Sequence, residues 1–80
     1  MIFTGKDNYG KPKQDYLDRI AAMTDSELEQ ETEQKIWLSG YANNNHRSDY
    51  HWHVEACYVE CQRRDPGMYE RAYQTVVQSL

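Results

Sequence analysis

An all-α fold, a small bundle of about four short helices behind an irregular lead, is predicted by three features of this 80-residue chain. Apolar residues recur at three- and four-residue spacing through most of its length. Helix starts are marked in turn by Pro12, Thr24, Ser48 and Asp65-Pro66. The stretch from Asp49 to Arg64 holds no Gly or Pro, and it is longer than ordinary strands run.

Taken in order, residues 1–11 form the lead, punctuated by Gly5 and Gly10, with Ile2, Phe3 and Tyr9 as its apolar anchors. Pro12 suits a helix's first turn, where its missing N–H goes unused. Tyr16, Leu17, Ile20 and Ala21 then share one face opposite Asp15, Asp18 and Arg19, which predicts a helix over residues 12–23. Thr24-Asp25-Ser26-Glu27 is a capping-box sequence, so a second helix is expected over 25–42, stopped by Asn43-Asn44-Asn45. Its first half is polar, with Leu28 as the lone apolar anchor, and its second half carries Ile36, Trp37, Leu38 and Tyr41. Gly40 weakens that helix by about 1 kcal/mol relative to Ala, and it suits close approach of another helix.

Ser48 caps a third helix, expected over 48–64. The alternation from Tyr50 to Glu55 also fits a strand, but the uninterrupted length favours helix. Asp65-Pro66 opens a fourth helix over 66–78, with Met68 or Tyr69, Ala72 or Tyr73, Val76 and Leu80 on one face. The expected core is Leu17, Ile20, Ile36, Trp37, Val54, Cys57, Cys61, Ala72 and Val76. Short connections make successive helices antiparallel. The whole chain, residues 1–80, is one domain.

Composition narrows the function classes. Nine Lys/Arg against thirteen Asp/Glu leave a net charge of −4, which disfavours a dedicated binder of phosphate backbones. No run approaches the roughly 18 apolar residues of a membrane span, and the first residues lack the apolar core of a secretory signal. A cytoplasmic location and free thiols at Cys57 and Cys61 are therefore expected.

Imidazole and thiolate are the usual zinc ligands, and His53, Cys57 and Cys61 lie at i, i+4 and i+8, with His46 nearby in sequence. Three ligands spread over two helical turns span about 12 Å, too far to converge on one ion. No metal and no cofactor are expected; if a metal were held, His53 and Cys57 would be the pair to hold it. The same pair, continued by Asp49, imitates a nucleophile–base line. Nothing in the sequence resembles an oxyanion loop, and no enzyme is expected. Cys57 and Cys61 read as small buried apolar side chains.

The acidic run is more telling. Asp25, Glu27, Glu29, Glu31 and Glu33 precede the first base, Lys35, and residues 14–34 carry seven acids and one base, hence −6. Such crowding costs repulsion unless a partner relieves it. An ordinary solvated helix start explains part of it; an anionic surface addressed to a basic partner explains the rest. Seven Tyr and two Trp exceed what a small core hides, and Tyr and Trp are favoured interface anchors. Tyr41, Tyr50, Trp52 and Tyr58 are the expected surface aromatics, although Trp52, like Trp37, is also expected to supply core. A competing foothold is basic: Arg63, Arg64 and Arg71 flank the Asp65-Pro66-Gly67 turn in a helix–turn–helix-like arrangement.

In its size, its acidic Thr24–Glu33 segment and its Tyr/Trp-rich stretch from Trp37 to Tyr58, the chain resembles the small accessory proteins of bacteriophages and mobile elements, anti-CRISPR-like inhibitors among them. That resemblance implies a protein that acts in the bacterial host's cytoplasm and blocks a defence complex by occupying one of its surfaces. The expected function is a protein-interaction inhibitor or adaptor that binds a basic surface of a larger nucleic-acid-handling complex. It would do so through the acids at positions 25–33 with Tyr41, Tyr50 and Tyr58, without contacting nucleic acid or membrane itself. Spare aromatics leave room for a homodimer. The runner-up is a nucleic-acid-binding module, either zinc-stabilised or helix–turn–helix-like.

Overall fold

A computed structural model describes residues 3–80 of the chain. Its four helices are α1 (Lys13–Ala21), α2 (Asp25–Tyr41), α3 (Asp49–Arg64) and α4 (Pro66–Gln78). Among the described residues the only β pairing is a single antiparallel bridge, Lys6 to Pro12.

Helices α2, α3 and α4 each begin where a side chain can satisfy a first orphan N–H group. Thr24 Oγ1 accepts from the Glu27 N–H at 3.2 Å while Glu27 Oε1 accepts from the Thr24 N–H at 2.8 Å, a complete capping box. Ser48 accepts from the Tyr50 N–H, and Asp65 accepts from the Gly67 N–H just past Pro66. Pro12 stands at the cap of α1, one residue before its expected place in the first turn, and supplies no side-chain cap.

The lead is a folded loop. Gly5 and Gly10 both adopt φ of 82°, a left-handed conformation that favours glycine. Asp7 Oδ1 accepts from the N–H groups of Tyr9 and Lys11. Asn8 then ties the loop to α3, its N–H donating to the Asp49 carboxylate and its Nδ2 to the Arg47 carbonyl. Phe3 is buried and packs on Trp52 with ring centroids 6.4 Å apart. Ile2, the other apolar anchor expected here, lies outside the described residues.

Helices α2 and α3 run antiparallel, as expected of neighbours in the chain. Thr32 meets Cys61 and Ser39 meets His51 across α2 and α3. By contrast α2 and α4 run side by side in the same direction: Glu29 meets Arg71, while Gly40 and Tyr41 share a groove with Val77 and Leu80. Helix α1 lies across α2 and α3 through Tyr16, which touches Glu31, His53 and Cys57.

The core is Phe3, Tyr16, Ile20, Leu28, Ala56, Cys57, Cys61, Met68 and Ala72, with Thr32 as its one buried polar residue. Ile20, Cys57, Cys61 and Ala72 fall where the periodicity put them. Trp37 does not: it is 47% exposed. Leu17, Ile36, Val54 and Val76 are half-buried at the margin of the core. The centre of α2 is held instead by Leu28 and Thr32, on the stripe one turn and more before Trp37. Thr32 is tolerated because its hydroxyl donates to the Leu28 carbonyl at 2.7 Å.

Candidate docking face

The acidic run proves to be largely engaged within the molecule. Asp25 pairs with Arg64 at 3.0 Å, and Glu29 with Arg71 at 3.3 Å. Glu27 is occupied by the capping box. Glu31 accepts the Tyr16 hydroxyl at 2.7 Å and pairs with Lys35 at 3.1 Å. Burial pushes the Glu31 carboxyl up, but the hydrogen bond from Tyr16 and the Lys35 ammonium outweigh it, so the group sits below the usual carboxylate range. Of the five, Glu27 and Glu33 take no ion pair among the described residues, and Glu33 alone also takes no side-chain hydrogen bond. The sequence showed Asp25 and Glu29 without bases nearby because theirs arrive from the end of α3 and the first half of α4.

The same contacts account for the arginines. Arg64 donates from Nη1 and Nη2 to the carbonyls of Met23, Ile20 and Ala21, closing the C-terminus of α1, and pairs with Glu60 and Asp25. Arg71 bridges Glu29 and Asp65, and Arg63 pairs with Glu60. The basic foothold at the α3–α4 turn is thus built into the fold's own ion pairs.

The cysteine–histidine cluster is dispersed. Tyr16 gives its one hydroxyl proton to Glu31, so at 3.4 Å the Cys57 thiol is the donor to the Tyr16 oxygen. Thr32 likewise spends its proton on Leu28, leaving Cys61 to donate to it at 3.5 Å. Burial raises both thiols, which stay protonated and poorly nucleophilic. His53 stacks on Tyr16 at 4.1 Å, and its buried Nδ1 has no hydrogen-bond partner. Burial and the nearby Lys35 lower His53 to about 4. Asp49, the third member of the imagined catalytic line, accepts from the Trp52 indole and the Asn8 N–H. His51 donates from Nε2 to the Asn45 carbonyl and accepts the Ser39 hydroxyl at Nδ1, and His46 is exposed in the α2–α3 loop. Among the described residues no three His, Cys, Asp or Glu side chains gather to hold a metal ion.

What remains unpartnered is apolar. Ile36, Trp37, Gly40 and Tyr41 of α2 face Tyr73, Val76 and Val77 of α4, and Leu80 just past its end, across a groove of about 400 Å³. Tyr41 is 84% exposed and Leu80 81%, and Trp37, Tyr73 and Val77 are each more than two-fifths open to water. The stripe continues up α2 at helical spacing from Tyr41 and Trp37 to Glu33 and Glu29. Beyond the apolar lining the α2 side thus passes to Glu33, while Glu29 is taken up by Arg71 of α4. Aromatic surface also extends sideways, since Tyr73 stacks on Tyr69 at 6.5 Å and Tyr69 meets the exposed Tyr58 edge-on at 5.0 Å.

Of the expected contact residues, Tyr41 lines this face, Glu33 and Glu29 follow one and two turns beyond Trp37 on α2, and Tyr58 lies on its flank. Tyr50 stands apart at the start of α3, beside His53 and Lys35. Trp52 belongs to the core margin. Sequence reasoning missed Trp37, Tyr73, Val77 and Leu80 as surface. Val76-Val77 and the terminal Leu80 were the available signal, more apolar residues than one inner stripe of α4 requires. No protein family, curated protein or solved structure matches the chain. No helix among the described residues is long and apolar enough to cross a membrane.

Proposed function

We propose that this chain is a non-enzymatic interaction protein, an inhibitor or adaptor that works by docking on a larger protein assembly. The observation that carries the reading is the unpartnered α2–α4 face, where five large apolar side chains stay open, with Glu33 one helical turn beyond Trp37. Exposed apolar surface gathered in one place and edged by polar groups marks interaction sites. Tyr and Trp supply rigid anchors at small entropic cost. Glu33 and the net charge of −4 favour a partner whose complementary surface is basic. Surfaces built to hold nucleic acid have that character. The composition shared with anti-CRISPR-like inhibitors of bacteriophages supports the same class of target, a host-defence complex in the bacterial cytoplasm.

The test compares the wild-type chain with Trp37→Glu and Glu33→Lys as bait against nuclease-treated host lysate, followed by kinetics on the partner recovered. Trp37→Glu should lose the partner. Glu33→Lys should slow association and flatten its salt dependence, while Tyr41→Ala should speed dissociation by the equivalent of about 1–3 kcal/mol. Tight binding to free DNA or RNA, with no protein retained, would overturn the proposal.

A further inference from the structure

We infer that the segment received by the α2–α4 groove is a single amphipathic α-helix crossing α2 at Gly40, with a Lys- or Arg-bearing end beside Glu33. This rests on the docking reading above and adds the secondary structure, polarity and point of closest approach of the partner.

Gly40 is the first ground. It lies inside α2 without a positive φ, unlike Gly5 and Gly10, so backbone conformation does not demand glycine. Nothing stands within 4 Å of where its Cβ would be, so internal packing does not demand it either. Helix propensity would favour Ala by up to about 1 kcal/mol. The missing Cβ leaves a notch in the groove floor between Trp37 and Tyr41, suited to a second backbone lying close.

The second ground is the hydrogen-bonding capacity of the walls. The lining consists of Ile, Trp, Gly, Tyr, Val and Leu, on helices whose backbone groups are mostly spent on their own ladders. An extended segment laid there would bury N–H and C=O groups with few partners, which is costly. A helix satisfies its own backbone and presents apolar side chains at i, i+3, i+4 and i+7, the recognition mode such grooves serve.

Charge supplies the direction. The groove lining carries no charged residue, and Glu33 stands one turn from Trp37 without an ion pair. A cationic side chain at the helix end beside Glu33 completes that pair. A second copy of this chain would instead bring its own Glu33 and its own net charge of −4.

The probe is a synthetic helical peptide of about 18 residues with one Leu/Ala stripe and Lys at one end, titrated into the isotope-labelled full chain. Amide shifts should centre on Trp37, Gly40, Tyr73 and Val77. A spin label at the Lys end should broaden Glu33, and one at the other end should broaden Leu80. A central proline in the peptide, or Gly40→Leu in the protein, should each weaken binding by roughly tenfold or more, with the Gly40→Leu melting temperature unchanged or raised. No saturable binding below about 1 mM, equal binding by the proline peptide, or unchanged affinity of Gly40→Leu would each overturn the inference. So would a wild-type dimer that Gly40→Leu dissociates, which would give the groove to a second copy. If Trp37→Glu abolishes capture of the cellular partner and Gly40→Leu does not, the docking face stands and the helix is wrong. If neither variant affects capture, both readings fall.

Discussion

Arg64 shows how much one surface-derived side chain can hold. Its guanidinium faces three carbonyls at the end of α1 and two carboxylates, and the side chain is only 14% exposed. Those carbonyls are the groups a helix C-terminus leaves unpaired, and hydrogen bonds to a charged donor are worth about 1.5–3 kcal/mol each before desolvation. Arg64→Ala should therefore lower the urea midpoint by the equivalent of about 2–3 kcal/mol. Arg63→Ala, whose side chain is largely exposed and pairs with Glu60 alone, should cost under about 0.5 kcal/mol. Equal midpoints for the two variants would contradict the role given to Arg64. His53 makes a prediction of a different kind. Its ordinary value is 6.5 and its folded value is about 4. Burial, Lys35 and Arg19 disfavour the charged ring, while Asp49 and Glu31 partly favour it. Above pH 6.5 the ring is neutral in both states and contributes nothing to the pH dependence. Between 6.5 and 4 the unfolded chain takes up a proton that the folded chain refuses, so stability should fall as pH drops through that window. Allowing for the half-open ring, the loss should be about 1–2 kcal/mol. Chemical denaturation at a series of pH values should show it, and His53→Gln should flatten the profile above pH 5.

At the level of elements, the helix starts were legible because capping is local chemistry. Thr24-Asp25-Ser26-Glu27 states in four residues that a helix begins at Asp25, and it begins there. Thr24→Ala should cost about 1 kcal/mol, read as a lower thermal midpoint with an unchanged denaturant slope. Burial was less legible. Trp37 and Leu28 both sit in α2 on apolar-compatible stripes, and size favoured Trp37 for the core. The structure chose Leu28, because the neighbours of α2 present Cys57, Cys61 and Ala72, small side chains that bring the helices close and leave little room for an indole. Which of two stripes faces inward depends on partners that a single helix does not display. The acidic run is the same lesson in charge: Asp25 and Glu29 looked unrelieved only because Arg64 and Arg71 are 39 and 42 residues away in sequence.

Across the whole molecule the balance is thin. The principal extents are 33 × 29 × 18 Å, and the short dimension fits fewer than two helix diameters of about 10–12 Å each. A plate this flat leaves few positions out of water, and among the described residues the fully buried large side chains are Ile20, Leu28, Met68, Thr32, Cys57 and Cys61. At about 0.05–0.15 kcal/mol per residue, total stability should be on the order of 4–12 kcal/mol. Leu28→Ala, at about 2–5 kcal/mol, should remove a large share of it. The expected result is weakened near-ultraviolet dichroism with much of the far-ultraviolet helix signal retained. A loss under about 0.5 kcal/mol by urea titration would mean that the centre of the plate lies elsewhere.

The parallel course of α2 and α4 has a practical corollary. Because α4 travels with α2, the chain leaves the fold after Val77 and Leu80, at the mouth of the groove. Whatever is attached there begins its path across the face. A purification handle or fluorescent fusion joined after Leu80 is thus a tethered competitor for the groove, held at high local concentration by a linker of almost no length. At the other end of the described residues, Phe3 packs on Trp52 of α3, outside the groove lining.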